Sequence, residues 1–314
     1  MPTSTFKALN PDDIASTRTM LHEAIPVTGT IVSGTYSDNN IKTFAHGMFQ
    51  SVYDYPYLSS SANHIFDITA GFSTRATSLS ASSVVQTSKK VNIYNQMAQI
   101  LVGFDETGSV RRFDQDGNLS NGTKIDDAFF INFTRLLTKD EIKKGSFQMT
   151  VYTGSTIDGP GFPLTIQDAN VNKYLTNSPA GEYTLLHTSS TGGDNTSDIP
   201  VGLLYYQAGI AVLTASIFKS GSGGNQVYPG IPGVGNYFGT VSGNVGASSL
   251  SSMSVSGAFS GSTIDTIAGG FRNRLKNIQF NNTTELNSTI YFCRVNHNEF
   301  NYSSNATYLS ESII

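Results

Sequence analysis

Val201-Gly202-Leu203-Leu204-Tyr205-Tyr206-Gln207-Ala208-Gly209-Ile210-Ala211-Val212-Leu213-Thr214-Ala215-Ser216-Ile217-Phe218 is the most apolar stretch of this chain. A membrane-crossing helix needs about 20 consecutive apolar residues, and Gly202, Gln207, Gly209 and Ser216 interrupt this run. Its two β-branched and aromatic halves flank Gln207-Ala208-Gly209, which reads as a hairpin. Working outward, residues 182–187, 147–152 and 128–137 continue the strand pattern, as do 65–69 and 28–32. Residues 277–281 and 289–295 read as two closing strands. The pattern predicts a mainly β protein, antiparallel and β-sandwich-like, with a few short helices.

Four helices interrupt the strands. Asn10-Pro11-Asp12-Asp13 supplies an N-cap, a first-turn proline and acids at the positive helix end, so a helix is expected to about Glu23, before Pro26. Val91, Tyr94, Met97, Ala98 and Leu101 recur at helical spacing over residues 90–102. Thr138-Lys139-Asp140-Glu141 reads as a capping box opening a very short helix ended by Gly145. Residues 262–275 look helical, with Asp265 early and Arg272, Arg274 and Lys276 late, although Gly269-Gly270 weakens the pattern.

The 314 residues include 30 Gly and, by count, 39 Ser, 33 Thr and 25 Asn, residue types that favour turns and strand edges over helix interiors. Only 13% of residues are charged, while Tyr and Phe number 15 and 19, which argues for an ordered chain. A net charge of −4 is the wrong sign for gripping a phosphate backbone, so no nucleic-acid partner is expected. No span or export signal is visible, so no membrane insertion is expected either. A surface poor in charge suits a protein that stays in contact with other proteins.

Residues 220–264 carry no charge and are dominated by Gly and Ser. They divide the chain into a β-rich part (1–219), the uncharged stretch (220–264), and a helix with strands (265–314) that completes the main domain or forms a small second one. Tyr228, Tyr237, Phe238 and Phe259 give the middle stretch apolar anchors that a free linker lacks. It is either an arm ordering against a neighbour or a surface loop packed on its own domain. Residues 296–308 concentrate amides and rings, including Asn298, Phe300, Asn301, Tyr302 and Tyr308. They read as an inter-subunit contact or as a strand and turn within the domain. The final Ser312-Ile313-Ile314 sits in a strand-like run, so a natural chain is expected to continue.

Motifs for chemistry are sparse. No serine has glycine at both −2 and +2, no Gly-Lys pair offers a P-loop, and the glycines of residues 230–239 lack dinucleotide-binding spacing. Cys293 and His297 share a face in either periodicity, but two ligands do not close a zinc site. Asp114-Gln115-Asp116-Gly117-Asn118 lacks the acid that an EF-hand places six residues past its glycine, and Asp-Gly is a strong hairpin turn. Tyr53-Asp54-Tyr55-Pro56-Tyr57 holds an acid among rings that could stack on sugars, or is a strand end with half-buried tyrosines. No metal, cofactor or catalytic residue is expected, and a glycan-degrading enzyme is the weakest of the functional classes.

Residues 278–294 (Ile-Gln-Phe-Asn-Asn-Thr-Thr-Glu-Leu-Asn-Ser-Thr-Ile-Tyr-Phe-Cys-Arg) and 296–305 (Asn-His-Asn-Glu-Phe-Asn-Tyr-Ser-Ser-Asn) resemble virion structural proteins of contractile-tailed, T-even-like phages of marine bacteria. Residues 20–26, 45–57 and 93–99 are similar too, so the resemblance spans all but the Gly/Ser stretch. It implies a structural component of the tail or baseplate, assembled in the host cytoplasm beside other virion proteins and forming homo-oligomers in the particle. The lone Cys293 fits assembly in a reducing compartment. Two alternatives remain within the virion: a head or neck structural protein, and a receptor- or glycan-binding module of a tail fibre or tip using Tyr53, Tyr55 and Tyr57.

Overall fold

The structure is a computed structural model that describes residues 8–30, 38–81, 83–117, 122–152, 163–168, 171–188, 199–218 and 255–293. Its strands are β1 (Ile14–Ile25), β2 (Ile41–Thr43), β3 (Gln50–Tyr53), β4 (His64–Phe72), β5 (Phe113–Asp114), β6 (Lys124–Ile125), β7 (Asp127–Phe133) and β8 (Glu141–Ile142). They continue as β9 (Gln148–Tyr152), β10 (Pro163–Gln167), β11 (Thr176–Ser178), β12 (Gly181–Thr188), β13 (Ile199–Tyr205), β14 (Ile210–Thr214) and β15 (Leu275–Tyr291). The helices are α1 (Thr87–Leu101), α2 (Arg135–Thr138), α3 (Val171–Tyr174), α4 (Val255–Gly261) and α5 (Ile264–Arg274).

Thirteen strands join in one sheet, in the order β1-β15-β9-β10-β12-β13-β14-β7-β4-β3-β2, with β11 on β12 and β8 on β15; β5 and β6 pair separately. The fold is mainly antiparallel β with short helices. Contacts divide the chain into residues 22–284 and a smaller unit whose described residues are 8–21 and 285–293.

In the main unit, β7 is buried on both faces, which explains its nearly continuous apolar run. On one face Phe129 packs against Phe218, Phe259 and Phe271, with ring centroids 6.0, 5.1 and 4.7 Å away. Phe133, on the same face, meets Phe147 at 6.0 Å and Phe280 of β15 at 5.3 Å. Because β15 lies far from β7 in the sheet order, the sheet must curl back over this core. The sandwich-like layering is therefore one sheet folded upon itself, closed by α4 and α5.

The opposite face of β7 presents Ala128 and Phe130 to a second core with Tyr94, Phe113, Leu203, Tyr205 and Val212, covered by α1. A Cβ on Gly71 would lie 2.6 Å from the Lys90 carbonyl oxygen, so the glycine lets α1 approach β4 closely. The hairpin between β13 and β14 turns where expected. Gly209 takes φ +67° there and donates its N–H to the Tyr205 carbonyl at 2.9 Å.

Several expectations require correction. Residues 10–23 are not a helix. The N-terminal signals are satisfied by a single 3-10 turn (Pro11–Asp13), after which the chain enters β1. Thr28–Thr30 is also a 3-10 turn rather than a strand: the Thr28 hydroxyl donates to Asn277 Oδ1 at 2.8 Å and accepts from the Ile278 N–H at 3.1 Å. Thr138 ends α2 instead of opening a helix, Lys139 turns at φ +55°, and Glu141-Ile142 pairs with β15. The two closing strands are one 17-residue strand.

The end of the uncharged stretch is neither arm nor surface loop. Residues 255–264 belong to the folded core, where Ala258, Phe259 and Ile264 are fully buried. The helix and strand of residues 265–284 complete the main unit. Residues 220–254 lie outside the described residues.

Candidate functional site

The smaller unit is a ribbon with no core layer among its described residues. Asn10 and Asp13 cap the 3-10 turn reciprocally: the Asp13 N–H reaches the Asn10 carbonyl at 2.9 Å, and the Asn10 N–H reaches Asp13 Oδ2 at 3.2 Å. The chain then extends as β1 beside β15. Arg18 pairs with Glu285, and Phe292 donates its N–H to the Asp13 carbonyl at 2.8 Å. Ile14, Met20, Leu21, Leu286, Ile290, Tyr291 and Phe292 are each 41 to 59% exposed.

The two edges of the sheet differ. One ends on β2, only three residues long, and shortness is a common protection against edge pairing. The other ends on β1, twelve residues long, with no proline within it and only Arg18 and Glu23 as strongly charged residues. Among the described residues no strand pairs with its outer side, where backbone N–H and C=O groups form a template for another strand. Ribbon and edge together are the main candidate for assembly, and sequence reasoning missed both because it took residues 10–23 as helix.

The expected contact residues fare differently. Phe259 faces inward, fully buried against Phe129, and so belongs to the core rather than to an exposed contact. Tyr228, Tyr237, Phe238, Asn298, Phe300, Asn301, Tyr302 and Tyr308 lie outside the described residues, as does His297. Cys293 is exposed.

The tyrosine segment is a loop held by its own acid. Asp54 Oδ1 accepts from the Tyr55 N–H at 2.8 Å and the Asn63 N–H at 2.6 Å, and Oδ2 accepts from Asn63 Nδ2 at 2.8 Å. Asn40 Nδ2 donates to the carbonyls of Tyr53 and Asp54 at 3.2 and 3.1 Å. Asp54 is thus committed to structure. Tyr53 packs on His64, with ring centroids 5.5 Å apart, while Tyr55 and Tyr57 stay exposed beside Leu58, itself 85% exposed. Among the described residues no two of the three tyrosines make a ring contact with each other.

Other acids are similarly occupied. Asp114 pairs with Lys124 at 2.9 Å, Asp116 Oδ2 accepts from the Thr123 N–H at 2.9 Å, and Asp126 holds Arg112 at 3.0 Å. The Asp-Gly segment lies between the paired strands β5 and β6, with Gly117 at φ +81°, and its Asn118 lies outside the described residues. Asp168, wholly buried, accepts from the N–H groups of Phe147 and Gly145 at 2.9 and 2.7 Å and from the Tyr206 hydroxyl at 2.9 Å. Burial nevertheless raises its pKa, against the effect of those bonds. Among the described residues no group of three or more His, Cys, Asp or Glu is placed to hold a metal ion, and no helix is long and apolar enough to cross a membrane.

One buried cation organises the return of the chain after residue 254. Lys90, on α1, is fully buried, and its Nζ donates to the carbonyls of Phe259 and of Ser262, the latter at 2.7 Å. Gln86 Oε1 accepts from the Ile264 N–H at 2.9 Å, and Val85 donates to the Ser260 carbonyl at 2.8 Å. The start of α1 thus clamps the α4–α5 turn. Desolvation lowers the Lys90 pKa to about 8, partly opposed by Asp127. Nothing in local sequence marks this role, because its partners lie about 170 residues away.

No family model, curated protein or solved structure matches this chain.

Proposed function

We propose that this chain is a structural component of a phage particle, in its tail or baseplate, working by assembly with other virion proteins and with copies of itself. The sequence resemblance suggests the kind of particle. The observation that carries the mechanism is the long, open β1 edge with exposed apolar side chains on its ribbon. A two-stranded ribbon without a core is marginal in water, and pairing its edge with a neighbour would satisfy backbone groups while burying apolar surface. The expected location is the virion, reached after assembly in the host cytoplasm.

The test is immunogold labelling of intact particles with antibody against this chain. Label at the baseplate end of the tail supports the proposal. Label on the head or neck retains a structural role but moves it, and absence of the chain from purified particles refutes it. A second reading, a receptor- or glycan-binding module, draws on Tyr55, Tyr57 and Leu58 exposed on the loop that Asp54 holds. Replacing Tyr53, Tyr55 and Tyr57 together by alanine is expected to abolish cell-surface binding without unfolding the chain; unchanged binding removes this reading.

A further inference from the structure

The connection between β2 and β3, residues 44–49, carries three rings that join neither core. Phe44 and His46 stack at 5.1 Å with their planes 7° apart, and Phe49 lies 4.8 Å from the first and 5.1 Å from the second. His46 is exposed and both phenylalanines are half-buried. Backbone and side-chain bonds fix the loop in this form. Gly47, at φ +59°, donates its N–H to the Phe44 carbonyl at 2.8 Å, and the Thr69 hydroxyl of β4 donates to the Met48 carbonyl at 2.5 Å. His46 Nδ1 accepts from the Met48 N–H at 3.1 Å, which leaves the neutral ring its proton on Nε2.

Two lysines flank the rings. Lys42 Nζ stands 5.0 Å from the Phe44 centroid, and Lys89, in the first turn of α1, donates to the His46 carbonyl at 2.8 Å. Among the described residues neither lysine is ion-paired. Residues 39–53 and 68–104 contain no Asp or Glu, so β2, the loop, β3 and α1 supply no balancing carboxylate. Lys42 lies opposite Ser51, and Ser51 opposite Asp67 of β4, so the three share one face of the sheet. Asp67 is shared there with His64 Nε2, at 2.8 Å, and the Ser51 hydroxyl. Asp265 of α5 accepts from Gln50 Nε2 at 3.0 Å, and Gln50, next to Ser51 on β3, points to the other face. Two lysines against Asp67 leave this face one positive charge in surplus.

The cluster is therefore apolar, positive and rich in donors, while the carbonyls of Phe44, His46 and Met48 are already bonded. A carboxylate only accepts hydrogen bonds, and the C–H face of a pyranose packs on aromatic rings. A nucleobase edge needs acceptors as well as donors, and the chain is net negative, so a nucleic acid fits less well. We propose that this ring-and-lysine cluster binds an acidic sugar, a pyranose bearing a carboxylate. Its ring packs on His46 and Phe49, Lys42 and Lys89 attract the carboxylate, and His46 Nε2–H donates to a hydroxyl. This stands independently of the assembly reading and of the tyrosine loop.

The test is isothermal titration of the full chain with trigalacturonate at low ionic strength, beside its methyl ester, citrate and tetraglutamate. The ester keeps the sugar rings and loses the charge; citrate and tetraglutamate keep the charge and lack the sugar face. Trigalacturonate is expected to bind and the other three to bind more weakly by about tenfold or more, the value of one lost charge-assisted bond. The double variant Lys42→Gln/Lys89→Gln should lose binding to the same extent while its thermal unfolding midpoint stays unchanged. Should that variant unfold, His46→Ala serves in its place, with a several-fold weakening expected. Equal binding of the ester would show that the carboxylate does not matter. Equal binding of citrate or tetraglutamate would show a general acid site, open to an acidic peptide. Either result, or no binding of trigalacturonate, or binding unaltered in the variants, overturns the proposal.

Discussion

Strands β7 and β1 form a contrasting pair within one sheet. Of the seven residues of β7, all but Asn132 are buried; of the twelve of β1, only Ile25 is. The first is shaped by what it buries, with Phe129 and Phe130 pointing into two separate cores. The second is shaped by what it pairs with, and most of its side chains remain in water. A strand held by backbone pairing alone leaves its side chains free for another purpose. Exposed Met20 and Leu21 therefore add little to the core, and on the proposed assembly reading they are contacts for a neighbour.

The contrast can be broken by substitution. Phe129→Ala removes a ring packed against three others, and should destabilise the chain by about 3–5 kcal/mol in denaturant unfolding. If the cost were below about 1 kcal/mol, the described core would be wrong. Gly71→Ala forces α1 away from β4 and should cost about 1–3 kcal/mol.

The buried Lys90 offers a sharper probe through pH. Its pKa is about 8 when folded and about 10.4 in an unfolded chain, so the unfolded state holds more protons between those values. Stability should therefore rise with pH across that window, by at most about 1.4 kcal/mol per unit. Tyr94 and Tyr206, whose pKa values burial raises, oppose this above about pH 10, because there the folded state retains protons that the unfolded state has lost. In Lys90→Met the rise between pH 8 and 10 should vanish, as measured by urea unfolding at each pH. A rise that persisted would place its origin elsewhere.

The ribbon should respond weakly. The half-exposed Arg18–Glu285 pair is worth only a few tenths of a kcal/mol after solvent screening, so Arg18→Ala should scarcely move the unfolding midpoint. The triple change Met20→Ser, Leu21→Ser and Ile290→Ser should cost about 1.5 kcal/mol or less, at up to about 0.5 kcal/mol per site, yet remove the chain from particles in an incorporation assay. A large loss of stability with normal incorporation would make the ribbon a structural element and end the assembly argument.

Local patterning was legible wherever an element buries one face of itself. Tyr94, Ala98 and Leu101, read at helical spacing, are buried on α1, Asp265 and Arg272 with Arg274 stand at the two ends of α5 as read, and the β13–β14 hairpin turns within its predicted residues. It failed where a distant partner outbid a local signal. The residues after Asp13 have helical entry signals, but Glu23 donates its N–H to Asn282 Oδ1 and His22 meets the Thr283 hydroxyl, more than 250 residues away. The candidate site was hidden by the same misreading, since an edge strand and a surface helix need not differ in residue types. Phe259 was misplaced because uncharged, glycine-rich composition says nothing about where a helix is seated.

Sequence alone determined the mainly β character, the strongest helices and the tight turns, because periodicity and turn chemistry act over a few neighbouring residues. Tertiary structure decided that the sheet curls over one of its cores, that Lys90 clamps the α4–α5 turn, and that β1 is an edge strand among the described residues. Each of these depends on which groups meet across long loops, where packing and the need to satisfy buried polar atoms outweigh local preference.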